Sequence, residues 1–103
     1  MKIVDMFKRK RPVIAFEIFP PKPDVPLDTI FNHLADFEAL KPDYISVTYG
    51  AGGSMKGRTL EIASRIKDTH HIESMAHFTC IGHTKADIDN MLSSMHKLGL
   101  ENI

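Results

Sequence analysis

AFEIFPP (15–21), SVTYGAGGS (46–54) and AHFTCIG (76–82) stand about 30 residues apart, the spacing that successive βα units produce. Each reads as a strand that runs into a turn of proline, glycine or polar residues. Each strand also places one chemically useful side chain on its less apolar face: Glu17, Thr48 and His77. In a sheet of parallel strands such side chains converge on the rim formed by the strands' C-terminal ends. The three segments therefore predict an α/β chain with a parallel sheet or barrel, and they point to a site on one edge of it.

Working outward, the apolar run Val13–Phe19 is rich in β-favouring residues and is stopped by Pro20-Pro21. Ile14, Phe16 and Ile18 share one face of it, and Ala15, Glu17 and Phe19 the other. Residues 27–40 then carry Leu27, Ile30, Phe31, Leu34 and Phe37 at helical spacing. A second strand is expected over Tyr44–Tyr49, with Ile45 and Val47 opposite Ser46 and Thr48. Gly52-Gly53 makes a turn, and Ser54 is placed to cap a helix that reaches Asp68 and buries Met55, Ile62, Ala63 and Ile66. Gly57 lies inside this helix and predicts an irregular first turn.

The third strand is expected over Ser74–Ile81, and Thr84 with Asp87 signals a helix start. Ile88, Met91, Leu92, Met95 and Leu98 form the buried stripe of that helix, and Gly99 is placed to end it. Glu101-Asn102-Ile103 reads as the beginning of a fourth strand. The order is thus β-α-β-α-β-α, with three strands whose inner faces are more polar than buried parallel strands usually are.

Glu17 carries the sharpest chemistry. A carboxyl set among Ala15, Phe19 and a Pro-Pro turn is expected to be partly desolvated, the setting that suits a general acid. A salt-bridged or exposed glutamate at a strand end is the plainer alternative. Thr48 is equally a common strand residue, and Gly50–Gly53 has neither the spacing of a dinucleotide fingerprint nor the lysine of a phosphate loop. His77, Cys80 and His83 do not form a metal set, because positions 77 and 80 of a strand face opposite ways.

Bulk properties restrict the function classes. Thirteen basic residues balance thirteen acidic ones among 103, which gives no electrostatic case for nucleic acid or an anionic membrane. No apolar run approaches the roughly 20 residues of a membrane span, and no stretch resembles a secretion signal. Cys80 is alone, consistent with a reducing compartment, and the cytoplasm is the expected location. Residues 1–11 form a basic N-terminal segment; its run Lys8–Arg11 has the composition of a nuclear address or a phosphate-binding patch, but reads more plainly as a solvated lead-in that ends at Pro12.

In combination, Phe16–Lys22, Ser46–Ser54 with Arg58-Thr59, and Ala76–Gly82 closely resemble methylenetetrahydrofolate reductase, in order from about residue 12 to the end of the chain. The resemblance implies that residues 12–103 are the first three βα units, and the start of a fourth strand, of a TIM (β/α)8 barrel that binds FAD. It implies reduction of 5,10-methylenetetrahydrofolate to 5-methyltetrahydrofolate in one-carbon metabolism, with NADH or NADPH as reductant. Glu17 falls on the family's catalytic glutamate, a general acid. Thr48, Tyr49, Ala51 and His77 fall on positions that contact or border the cofactor.

Such a barrel takes roughly 250 residues, and the family's Arg-Gly-Asp segment would follow Ile103. A chain of this length is therefore expected to be inactive alone, and the complete enzyme is expected to be a homo-oligomer. A non-catalytic α/β module that binds a partner or a nucleotide is the rival reading.

Overall fold

The computed structural model describes residues 1–9, 11–49 and 56–103, Lys56 through its backbone alone. The elements run α1 (Ile3–Arg9), β1 (Ala15–Ile18), α2 (Asp28–Ala39), β2 (Tyr44–Val47), α3 (Lys56–His70), β3 (Glu73–Ala76) and α4 (Lys85–Lys97). The three strands form one parallel sheet in the order β1-β2-β3. Asn102 adds a parallel bridge to Met75, and its carbonyl accepts from the Ala76 amide at 3.0 Å. The fourth-strand expectation is met at that residue.

The core lies between the sheet and its helices. Leu34 of α2, Ile45 and Val47 of β2, and Ile62, Ala63 and Ile66 of α3 are fully buried. Each large aliphatic among them stabilises the fold by about 1.5–3 kcal/mol relative to exposure. Phe16 and Phe37 meet at 5.5 Å between ring centroids, and Arg65 lies 4.1 Å over the Phe31 ring, joining α3 to α2. The apolar faces predicted for β1, β2 and α2 thus pack on the core, except at Ile14, which is exposed. Ile14 precedes β1 and engages Asp43 only through its backbone: its amide donates to the Asp43 carboxylate and its carbonyl accepts from the Asp43 amide.

The helix ends follow their local chemistry. Thr84 and Asp87 form a reciprocal capping box at the start of α4. At the other end the Gly99 amide donates to His96 and the Leu100 amide to Met95, with Gly99 at φ 67°. That is a Schellman ending, and the buried Met95 and Leu100 make its apolar contact. Leu92 and Leu98 of the predicted α4 stripe remain partly exposed. Helix α3 includes Gly57 without a break among the described residues and continues two residues past the expected end. The turn at Gly52-Gly53, the Ser54 cap and Met55 lie outside the described residues.

Two sequence expectations change. The strands are shorter than read, because pairing stops near Pro20-Pro21, whose nitrogens cannot donate, and β2 and β3 stop level with β1. Lys8, Arg9 and Arg11 are exposed, as a solvated run should be, but the segment is more than a lead-in: residues 3–9 are helical and Ile3 is buried. Its amide donates to Asn102 Oδ1 at 2.8 Å, and Asn102 Nδ2 donates to Met1 O and Glu73 Oε1. The Met1 ammonium lies 2.5 Å from Glu73 and 2.6 Å from Glu101, and Lys67 reaches both carboxylates.

Two outcomes test these placements. Thr84→Ala removes one half of the capping box and is expected to cost about 1 kcal/mol. Ser74 is fully buried and its hydroxyl has no partner, so Ser74→Ala is expected to be neutral or stabilising. Urea midpoints at unchanged m-value read both; equal losses would contradict the second assignment.

The N-terminal cluster predicts a pH window. Hydrogen bonds to Glu101 and then Glu73 hold the Met1 ammonium above its ordinary 8.0. Its contribution is therefore complete below 8.0 and is lost as pH rises through the folded value. The Met1 ammonium and then Lys67 hold Glu101 below 4.5, so that contribution is lost on acidification. The exchange protection of the Ile3 amide should fall at both ends while that of Leu34 persists; parallel loss at both positions would contradict local undocking.

Candidate functional site

Strand register assembles the site. Glu17 of β1 lies opposite Ser46 of β2, which lies opposite Met75 of β3. One row further, the Thr48 amide donates to the Ile18 carbonyl at 3.0 Å and the His77 amide to Val47 at 2.9 Å. These bonds carry the ladder a step beyond the strands, so Thr48 and His77 keep the facing of Ser46 and Met75. Ile18, Val47 and Ala76 in the intervening row are buried on the helix side.

Side chains from β1 and β3 therefore meet over β2. The two outer strands are separated by about 9.6 Å, twice the interstrand spacing, and a bulky residue at position 46 would stand between them. Ser46 is small and buried. Its hydroxyl donates to Glu17 Oε2 at 3.2 Å, and His77 Nε2 stands 3.6 Å from the same oxygen. Glu17, Ser46 and His77 thus form one polar group at the C-terminal end of the sheet. It offers a carboxyl, a hydroxyl and an imidazole, a set able to hold and pass a proton.

The desolvated setting expected of Glu17 is not what the chain provides. The side chain is 51 % exposed and that of His77 is 39 % exposed. Ala15 and Phe19 share the open face of β1 and do not enclose the carboxyl, and Phe19 itself is 70 % exposed. The apolar neighbours read from the sequence are adjacent along the strand, where alternation and pleat hold them apart rather than packed around the carboxyl.

The other predicted residues are distributed around this group. Thr48 accepts, through its carbonyl, from the buried Thr59 hydroxyl at 2.9 Å, which fixes the end of β2 to the first turns of α3. Tyr49 lies on the helix side, edge-on to Phe78 at 5.5 Å between centroids. Its hydroxyl is 3.0 Å from His83 Nε2, and burial pushes the phenol above its ordinary 10.0. Tyr49 and His77 therefore occupy different sides of the sheet end. Ala51 lies outside the described residues.

His77, Cys80 and His83 do not converge: His77 faces Glu17, His83 faces Tyr49, and Cys80 is exposed. Among the described residues no three His, Cys, Asp or Glu side chains are grouped to hold a metal ion. No helix of the chain as described is long and apolar enough to cross a membrane.

The partners of three residues could not be read from the sequence. Ser46 was visible only as a polar residue on the right face. His83 was grouped with Cys80 rather than with Tyr49. Arg58 donates to the carbonyls of Val25 at 2.5 Å and Pro23 at 2.8 Å, tying the loop after β1 to α3. The equal offset of 29 residues from Glu17 to Ser46 and from Ser46 to Met75 is the signal that finds the first of them. Nothing local to Arg58 or His83 announces its partner, which lies more than 30 positions away.

Comparison with known proteins agrees with the motifs. The family model described as methylenetetrahydrofolate reductase matches residues 2–103. The chain is 35% identical over 107 residues to a protein of Oryza sativa subsp. japonica named probable methylenetetrahydrofolate reductase (NADH), covering 100% of this chain and 18% of that one. Methylenetetrahydrofolate reductase (NADH) 1 of Arabidopsis thaliana is 34% identical, with the same coverage. The 5,10-methylenetetrahydrofolate reductase of Escherichia coli (strain K12) is 33% identical over 90 residues, 87% of this chain and 30% of that one. The chain thus spans less than a third of the length of these curated relatives. With its motifs, their order and almost every residue matched by the family model, the chain belongs to the methylenetetrahydrofolate reductase family.

Proposed function

We propose that this chain is the part of a TIM-barrel flavoenzyme that presents the catalytic acid for reduction of 5,10-methylenetetrahydrofolate to 5-methyltetrahydrofolate, with NADH or NADPH as the source of electrons. The observation that carries the reading is the meeting of Glu17, Ser46 and His77 on one open face at the C-terminal end of a parallel sheet. The sheet order β1-β2-β3, continued by Asn102 beside β3, is the order in which a barrel adds its strands.

The residues present fit one wall of a flavin site. His77 offers an imidazole that is partly open to solvent, and by register Thr48 offers a hydroxyl on the same face. Both are suited to the polar edges of a flavin. Tyr49 brings an aromatic ring and a phenol held by His83. When bound, FAD supplies the hydride that reduces the one-carbon unit.

This chain's own contribution is a proton. Glu17 in its acid form gives its proton to a nitrogen of the bridged folate ring. The carbon–nitrogen bond breaks with its electron pair going to that nitrogen, and the remaining nitrogen and methylene carbon become an iminium. Hydride capture then turns the methylene into the methyl group. The acid must be positioned within hydrogen-bond reach of that nitrogen, and a carboxyl on a paired strand has fewer conformations to search than one on a loop.

The reading is tested in the full-length enzyme by separating its two half-reactions. Glu17→Gln keeps the shape of the side chain and removes its proton. Folate reduction should fall by at least about a hundredfold, within the usual range for a general acid. Reduction of the flavin by the nicotinamide should survive. Equal loss of both half-reactions would remove the acid role from Glu17.

A further inference from the structure

Glu17 has two carboxyl oxygens, and the chain treats them differently. Oε2 accepts the Ser46 hydroxyl at 3.2 Å and is the oxygen that His77 Nε2 approaches to 3.6 Å. Among the described residues nothing bonds to Oε1. Ser46 is buried on the central strand, with its backbone paired on both sides, so its side chain is anchored within reach of Glu17 and its hydroxyl can turn to donate there. We propose that Ser46 is the positioning residue of the catalytic carboxyl, holding Oε2 as the acceptor oxygen and leaving Oε1 to carry the proton delivered to substrate.

The inference rests on the acid role given to Glu17 above and adds to it the choice of oxygen and the residue that makes it. Its chemistry is a proton transfer: the Oε1–H bond breaks, the proton goes to the folate nitrogen, and the carboxyl is left as a carboxylate. A hydroxyl that donates to a neutral acid before transfer donates to an anion after it. Charge-assisted hydrogen bonds are roughly twice as strong as neutral ones. The Ser46 bond therefore strengthens as the proton leaves, and an interaction that grows toward the transition state raises kcat rather than lowering KM.

Size matters together with the hydroxyl. Position 46 lies beneath the point where side chains from β1 and β3 meet. Among the described residues His77 is the titratable group that faces Glu17 from another strand. Alanine at 46 keeps the space and deletes the donor. Threonine keeps the donor on a residue that suits a strand.

The test uses the full-length enzyme and two readouts. In Ser46→Ala, kcat for folate reduction should fall about tenfold with KM little changed, the size expected for one hydrogen bond to a charged group. Flavin reduction by the nicotinamide should stay at its normal rate, and Ser46→Thr should recover most of the loss. In apo-protein labelled with 13C at the glutamate carboxyls, the Glu17 resonance is identified by its loss in Glu17→Gln. That resonance should move in Ser46→Ala and return in Ser46→Thr.

A Glu17 resonance unchanged by Ser46→Ala would overturn the proposal. So would a loss in both half-reactions that Ser46→Thr does not repair, since that describes a structural residue. If Glu17→Gln leaves folate reduction intact, the acid role fails instead, and the carboxyl resonance still reports whether Ser46 holds Glu17.

Discussion

The apolar layer between the central strand and α3 is the constraint on which everything else in this chain depends. Ile45 and Val47 from the sheet, and Ile62, Ala63 and Ile66 from the helix, leave no accessible surface. Because strand side chains alternate, fixing Ile45 and Val47 on the helix side forces Ser46 and Thr48 onto the other. Parallel pairing then transmits that choice to both neighbours, since a slip of one residue in β1 would expose Phe16 and Ile18 and bury Glu17. The polar face is thus held in register by apolar contacts on the opposite side of the sheet. The site residues need contribute no stability of their own.

A second consequence concerns the open face. A parallel sheet ordinarily has both sides covered, whereas here Ala15, Glu17 and Phe19 are exposed along β1. The exposed row is also the row in which Glu17, the acid proposed above, stands. Burial of an ionisable group costs free energy unless hydrogen bonds compensate, and the Ser46 hydroxyl supplies one such bond to Glu17. In the acid role proposed above, a carboxyl that is already oriented has less to reorganise when it gives up its proton.

Much of this was legible in the sequence, and what was not has a common cause. Strand–helix order, the faces of β1 and β2, the α4 capping box and the Gly99 ending were readable because each depends on residues within a few positions. Thr84 needs only Asp87, and Gly99 needs only the preceding turn. Helix α1 was missed because a seven-residue segment with one buried side chain has little periodicity to read. Its docking depends on Asn102, 99 positions from Ile3. Strand ends were overestimated at Thr79 and Ile81 because β-favouring residues continue after pairing partners run out, and pairing rather than composition bounds a strand.

The site divides along the same line. Glu17 could be nominated alone, since a carboxyl in an apolar strand calls for an explanation wherever it occurs. Its setting was not, because whether apolar neighbours enclose a group depends on which face they share and on what covers that face. Ser46 gained meaning only once register put it opposite Glu17, and His83 only once the turn after β3 brought it to Tyr49. Single residues can be nominated from sequence when their chemistry conflicts with their surroundings. Pairs cannot, because the information that makes them pairs resides in the sheet. The Ser46–Glu17 contact is such a pair: two unremarkable spacings in the chain become a donor and an acceptor 3.2 Å apart once three parallel strands are laid side by side.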